Sequence, residues 1–151
     1  MEPRIVRREA FTVMGVIGHF QSAAESFGPL WQAYMAFHEQ IELLSAGEGH
    51  YGVYLGADHS GPIDYLAGMT VAGTAEPPEG VETHEVPQAK FAVFECSFQQ
   101  LGPTYSYIWG EWLQSSGYAQ DTSKLSFDYF PPGTTEGNSP MEIWFPIVEK
   151  A

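Results

Sequence analysis

The sequence predicts an α+β fold: two β-α-β-β modules merge their strands into a curved, largely antiparallel sheet, with both helices on one face and a central ligand cleft between the halves. Three observations carry this. Gly-Pro followed by an aromatic two residues past the proline occurs twice, in GPLWQAY from Gly28 and in GPTYSYI from Gly102. Proline is tolerated at the first helical position, where its missing N–H would be unpaired anyway, so both copies read as helix starts. Each copy is preceded by one apolar, β-branched stretch and followed by two, and a Pro- and Gly-rich break, AEPPEG from Ala75 to Gly80, separates the sets. The pseudo-repeats fall at about 3–73 and 81–149 of one domain spanning 1–151.

The elements follow in order. RIVRREAFTVMGVIGHF reads as a strand, kinked near Gly15 or Gly18. From about Pro29, Leu30, Tyr34, Phe37, Ile41 and Leu44 recur at steps of three and four, which places them on one helical stripe that AGEG ends. YGVYLG and IDYLAGMTV are strands joined by the turn chemistry of ADHSGP. In the second half THEVPQAKFAVFECSF supplies a strand, and GPTYSYIWGEWLQSSGY a helix stopped at Gly117. KLSFDYF and SPMEIWFPIV then form a hairpin across PPGTTEGN. Alternation in that hairpin separates Phe127 and Tyr129 from Asp128 and Phe130, and Ile143, Phe145 and Ile147 from Glu142 and Trp144. The expectation is that Phe127 and Ile143 pack under the helices, while Asp128, Phe130, Glu142 and Trp144 share the cleft face.

Composition excludes several classes. Nineteen acidic against six basic residues give a net charge of −13, and no Lys or Arg occurs between Arg8 and Lys90, so direct nucleic-acid binding is not expected. Such a field favours cationic ligands; it also serves as a solvated surface. No apolar run is long enough for a membrane span, and the N-terminus lacks a secretory signal, which predicts a cytoplasmic location. The single cysteine, Cys96, lies in the apolar run FAVFECSF and reads as a buried hydrophobe. His19, His38, His50, His59 and His84 show no metal-ligand spacing, so neither metal nor cofactor is expected. No GxSxG elbow, phosphate-binding loop or dinucleotide fingerprint is present.

The residues also resemble a known family. YSYIWGEWLQSSGYA is similar to the helix end of GyrI-like effector-binding domains, MEIWFPIV resembles their terminal strand, and FAVFECSF and LSFDYF match two further strands. The resemblance implies a duplicated fold with a ligand cleft between the halves. Its members are sensors of lipophilic, often cationic drugs, gyrase inhibitors, drug-binding proteins and, in some branches, hydrolases of cyclopropane-bearing alkylators. The cleft carboxylate of the family, usually Glu, falls on Asp128, one methylene shorter. The terminal-strand aromatic falls on Trp144, and the aromatics near the helix starts on Trp31 and Tyr105.

A buried carboxylate among aromatic faces suits a planar or bulky organic cation, because the rings supply apolar area and a negative quadrupole while the carboxylate balances the charge. Asp128, Trp144, Tyr105, Trp31, Phe130, Tyr54, Trp109 and Glu142 are therefore the candidate ligand-binding residues, although aromatics at this spacing also serve as simple core. The function expected is a stand-alone small-molecule binding protein for drug sensing or sequestration. One alternative is a hydrolase of cyclopropane-bearing drugs, with Asp128 as base or anchor and Tyr105 or Tyr54 as proton donor. A second is a protein-binding inhibitor whose partner is gyrase.

Overall fold

The computed structural model describes residues 2–22, 27–56, 62–132 and 139–150; most of the expected turn ADHSGP and loop PPGTTEGN lies outside the described residues. Its strands are β1 (Arg4–Arg8), β2 (Phe11–Phe20), β3 (His50–Tyr54), β4 (Ile63–Val71), β5 (Glu82–Val86), β6 (Ala89–Ser97), β7 (Tyr118–Gln120), β8 (Phe127–Phe130) and β9 (Pro140–Glu149). All pairings are antiparallel, in the order β1-β6-β9-β8-β3-β4-β2-β5, with the short β7 pairing β9. Read outward from the central β3–β8 pair, β4 matches β9, β2 matches β6 and β5 matches β1. This is the arrangement that two fused copies of one module produce.

Two of the expected single strands are each divided. The chain leaves β1 at Glu9 and Ala10 and enters β2 beside a different partner: β1 pairs β6 of the second module, whereas β2 pairs β4 and β5. The second division falls at Pro87, which has no N–H to give a ladder, and sends β5 back to β2 while β6 goes on to β9. The strand leading each module is thus exchanged between modules. β2 itself runs unbroken through Gly15 and Gly18. Gly15 lies opposite Gly68, and a Cβ on it would sit 1.8 Å from the Ala67 carbonyl oxygen, so this glycine serves close backbone approach.

The first helical stripe is also two elements, α1 (Gly28–Met35) and α2 (His38–Glu42). Between them the Phe37 N–H donates three residues back to the Tyr34 carbonyl, a tightened turn that ends α1. Leu30, Tyr34 and Ile41 are buried as the stripe predicts, while Leu44 is exposed. The second helix begins earlier than its proline, in a 3₁₀ turn (Phe98–Gln100) that Ser97 and Gln100 cap reciprocally. It continues as α3 (Leu101–Tyr107), a π turn (Ile108–Trp112) and α4 (Leu113–Ser115), and stops before Gly117, whose φ of 81° favours glycine.

The core has three parts. Under the helices, one group centres on Leu30, Tyr34, Ile41 and Tyr65 and a second on Phe94, Ile108, Trp112 and Ile143. Trp31 and Tyr105, the equivalent aromatics after the two Gly-Pro pairs, each pack against both groups and so bridge the seam. The third group lies on the opposite face and contains no helical residue: Val13, Val53, Leu66, Phe91 and Phe127 are buried there together with Val86 of β5 and, half-buried, Val6 of β1. Residues from the two outermost strands meet in one cluster, so the sheet rolls and shields this face with its own edges.

Candidate functional site

Strand register decides which side chains meet at the seam. In the β8–β9 ladder Phe127 pairs with Trp144, Asp128 with Ile143 and Tyr129 with Glu142. Directly paired residues share a face, so Asp128 and Phe130 lie with Ile143 and Phe145 under the helices. Trp144 and Glu142 lie with Phe127 on the other side. The expected common face for Asp128, Trp144 and Glu142 is therefore corrected. Alternation gives two series per strand, but only the pairing says which series of one strand joins which of the next, and a one-residue slip inverts the answer.

Asp128 is fully buried. The Tyr65 hydroxyl donates to its Oδ2 at 2.9 Å and the Tyr105 hydroxyl to its Oδ1 at 2.8 Å, and Tyr54 adds a further hydrogen bond. These donors come from β4, α3 and β3, so both modules build the site. Among the described residues no cation acts on the titration of this carboxylate. Burial raises its pKa to about 7, against the opposing pull of the three hydroxyls. Burial and the Asp128 charge in turn push Tyr54, Tyr65 and Tyr105 well above the usual phenol value, so all three remain donors.

Gly52 makes this geometry accessible. It pairs with Asp128 across the β3–β8 ladder, and a Cβ placed on it would lie 1.7 Å from the Tyr65 hydroxyl oxygen. Tyr65 reaches the carboxylate through the space that any other residue would fill. Neither Gly52 nor Tyr65 was among the residues singled out from sequence. A usable signal existed: taking Tyr54 as the counterpart of Phe130 makes Gly52 the counterpart of Asp128, so the duplicated position holds the smallest residue in one module and the acid in the other.

Aromatic rings fill the seam above the acid. Trp31 packs edge-on against Phe130 at 5.3 Å and Tyr65 at 6.4 Å between ring centres, and Tyr54 meets Tyr65 at 4.8 Å and Tyr105 at 5.8 Å. Phe27, which the sequence reading missed, lies 4.5 Å from Tyr65. The structure brings together Asp128, Tyr105, Trp31, Phe130 and Tyr54. Trp31 and Tyr105, each partly buried, lie over the acid where the two modules meet. Trp109 is on the helix face too, but its ring is edge-on to Phe145 at 5.2 Å, in the second module's core.

On the opposite face a cation already occupies an aromatic box. The Arg8 guanidinium lies 3.9 Å from the centre of the Phe11 ring and between 5.3 and 5.4 Å from those of Tyr51, Phe127 and Trp144, and it donates to the Tyr51 hydroxyl at 2.9 Å. Trp144 stacks on Phe127, and its indole N–H donates to Glu142, which pairs with Arg4 at 3.0 Å. Trp144 and Glu142 thus hold β1 against the rolled face. Cys96 is buried in the second module's core. No helix among the described residues is long and apolar enough to cross a membrane, and no group of three or more His, Cys, Asp or Glu converges there as a metal site.

Two α+β modules fused through one antiparallel sheet, with their helices on one face and a buried acid at the seam, define the class of domain. The chain belongs to the GyrI-like small molecule binding domain family, whose model matches residues 1–148. The transcriptional regulator BrlR of Pseudomonas aeruginosa is 27% identical over 152 residues, covering 97% of this chain and 56% of BrlR, so the chain spans little more than half the length of that relative. Solved structures share the fold, among them two at 18% identity. One is a Staphylococcus aureus MU50 protein assigned to transcription regulation, with a TM-score of 0.73 and coverage of 97% of this chain and 98% of that one. The other is SAV2435 bound to tetraphenylphosphonium, with a TM-score of 0.70 and coverage of 98% and 94%.

Proposed function

We propose that this domain binds bulky aromatic cations at the seam above Asp128, to sense or sequester them. The observation that carries the reading is a fully buried carboxylate with three tyrosine hydroxyls around it and, among the described residues, no balancing cation. An uncompensated buried charge is expensive, and a soft, weakly hydrated organic cation is the partner that removes the cost with least desolvation of its own. The rings of Trp31, Phe130 and Tyr105 add stacking area and cation–π attraction of about 0.5–2 kcal/mol each, with little demand on ligand shape. That SAV2435, of the same fold, is described bound to tetraphenylphosphonium supports the choice of ligand class.

The test compares methyltriphenylphosphonium with triphenylphosphine oxide, a neutral molecule of similar size, by quenching of tryptophan fluorescence. Asp128→Asn is expected to weaken the cation at least tenfold and leave the neutral compound within twofold. Equal losses for both, or no saturable binding of the cation to the unaltered protein, would refute the assignment.

A further inference from the structure

A second site lies away from the seam. β6 pairs β9 only from Phe91 opposite Pro146 onward. Beyond that point β6 continues toward its start as Ala89 and Lys90 beside β1, while β9 continues as Ile147–Glu149 beside β7. The parting strands leave a groove of about 510 Å³ whose lining includes Arg7, Lys90 and Lys124. Half of the chain's six basic residues, from three distant parts of the sequence, thus converge on one groove of a protein with nineteen acids.

This convergence is not explained by internal ion pairing. Arg7 stands directly opposite Lys90 in the ladder, an arrangement of like charges that destabilises a sheet. Lys90 has a distant partner in Glu149 at 3.7 Å, and the groove's other acid, Asp121, accepts from the Ser123 N–H and hydroxyl. Among the described residues Arg7 and Lys124 have no carboxylate within ion-pair distance. We propose that the groove between β6 and β9 binds a compact dianion, a phosphate or a dicarboxylate, held by Arg7, Lys90 and Lys124. The small size follows from the charge balance: the net −13 repels extended polyanions, whereas screening over about 8 Å at physiological salt lets the local cations dominate for a ligand inside the groove. The volume lies in the range of ordinary small-molecule sites.

Titration of the ¹⁵N-labelled chain with inorganic phosphate, and separately with succinate, tests this and distinguishes the two anion classes. Saturable amide shifts at Arg7, Lys90 and Lys124 with at least one of them are expected, weakening as sodium chloride is raised. Lys124→Gln should lower the affinity at least threefold and Arg7→Gln/Lys124→Gln at least tenfold, while Lys124→Arg retains it. Unchanged melting temperatures in anion-free buffer verify that the variants fold. Non-saturating shifts spread equally to Arg4 and Lys150, saturation unaltered in the double variant, or binding of a short DNA duplex without response to either small anion would each overturn the proposal.

Discussion

Gly52 faces Asp128 across the central ladder, and the Tyr65 hydroxyl that bonds the acid occupies the place where a Gly52 side chain would be. The missing side chain of one module thus admits the hydrogen bond that satisfies the acid of the other. Replacement of Gly52 by Ala should therefore act through Tyr65. Displacing the hydroxyl costs a buried hydrogen bond and adds steric strain, together about 2–4 kcal/mol. Urea unfolding of Gly52→Ala, Tyr65→Phe and the pair should show strong non-additivity, because the second change finds the hydrogen bond already lost. Additive losses would contradict the coupling.

Asp128 should make the protein less stable as pH rises. Its folded pKa is raised from 3.8 to about 7, so between these values the folded state retains a proton that the unfolded state releases. This contribution to stability is complete below about pH 4, declines through the window and is gone above about pH 7, a difference on the order of a few kcal/mol. Asp128→Asn removes this slope. Melting temperatures of the two proteins should diverge between pH 4 and 8, with the Asn variant relatively more stable at the alkaline end. Parallel profiles would show that the carboxyl is not held in this environment.

Binding of a cation at the same acid should expel its proton. Affinity for methyltriphenylphosphonium should rise as pH increases from 6 to 8, by up to about tenfold per pH unit below the carboxyl's pKa of about 7 and levelling above it. Calorimetry at pH 6.5 in two buffers of different ionisation enthalpy should register proton release in the unaltered protein and none in Asp128→Asn.

Arg8 and Trp144 predict an effect on stability without one on the seam. Trp144→Ala should lower stability by about 2–4 kcal/mol, since it removes a stacked ring from Phe127 and one wall of the Arg8 box. The two side chains face away from Asp128, so cation affinity in the folded variant should change less than twofold. Trp31→Ala should show the reverse, a marked loss of cation affinity. Arg8→Lys, which retains charge but not the flat guanidinium, should cost about 1–2 kcal/mol.

Much of the architecture was legible in the chain. Gly-Pro starts, the AEPPEG break and the apolar stretches around them identified the duplication, since local propensity and hydrophobic period act over a few residues and repeat with the module. The helix-end glycine, Gly117, was equally readable, because a positive φ is a local demand. Asp128 is an isolated acid in the apolar strand SFDYF, and the family resemblance pointed to it together with Tyr105 and Trp31 near the helix starts, while Tyr54 and Phe130 hold equivalent strand positions of the two modules.

What the sequence by itself determined was thus the module, its duplication and an acid amid rings. Tertiary structure decided the rest: that the leading strands exchange modules, that the sheet rolls onto Arg8, and that Trp144 stands behind Asp128 and not beside it. The physical reason is range. Turn chemistry and periodicity are properties of adjacent residues, whereas ladder register, and with it the face each side chain takes, is settled by all the strands packing at once. Tyr65 and Gly52 belong to that second kind, for their roles exist only where β3, β4 and β8 lie side by side.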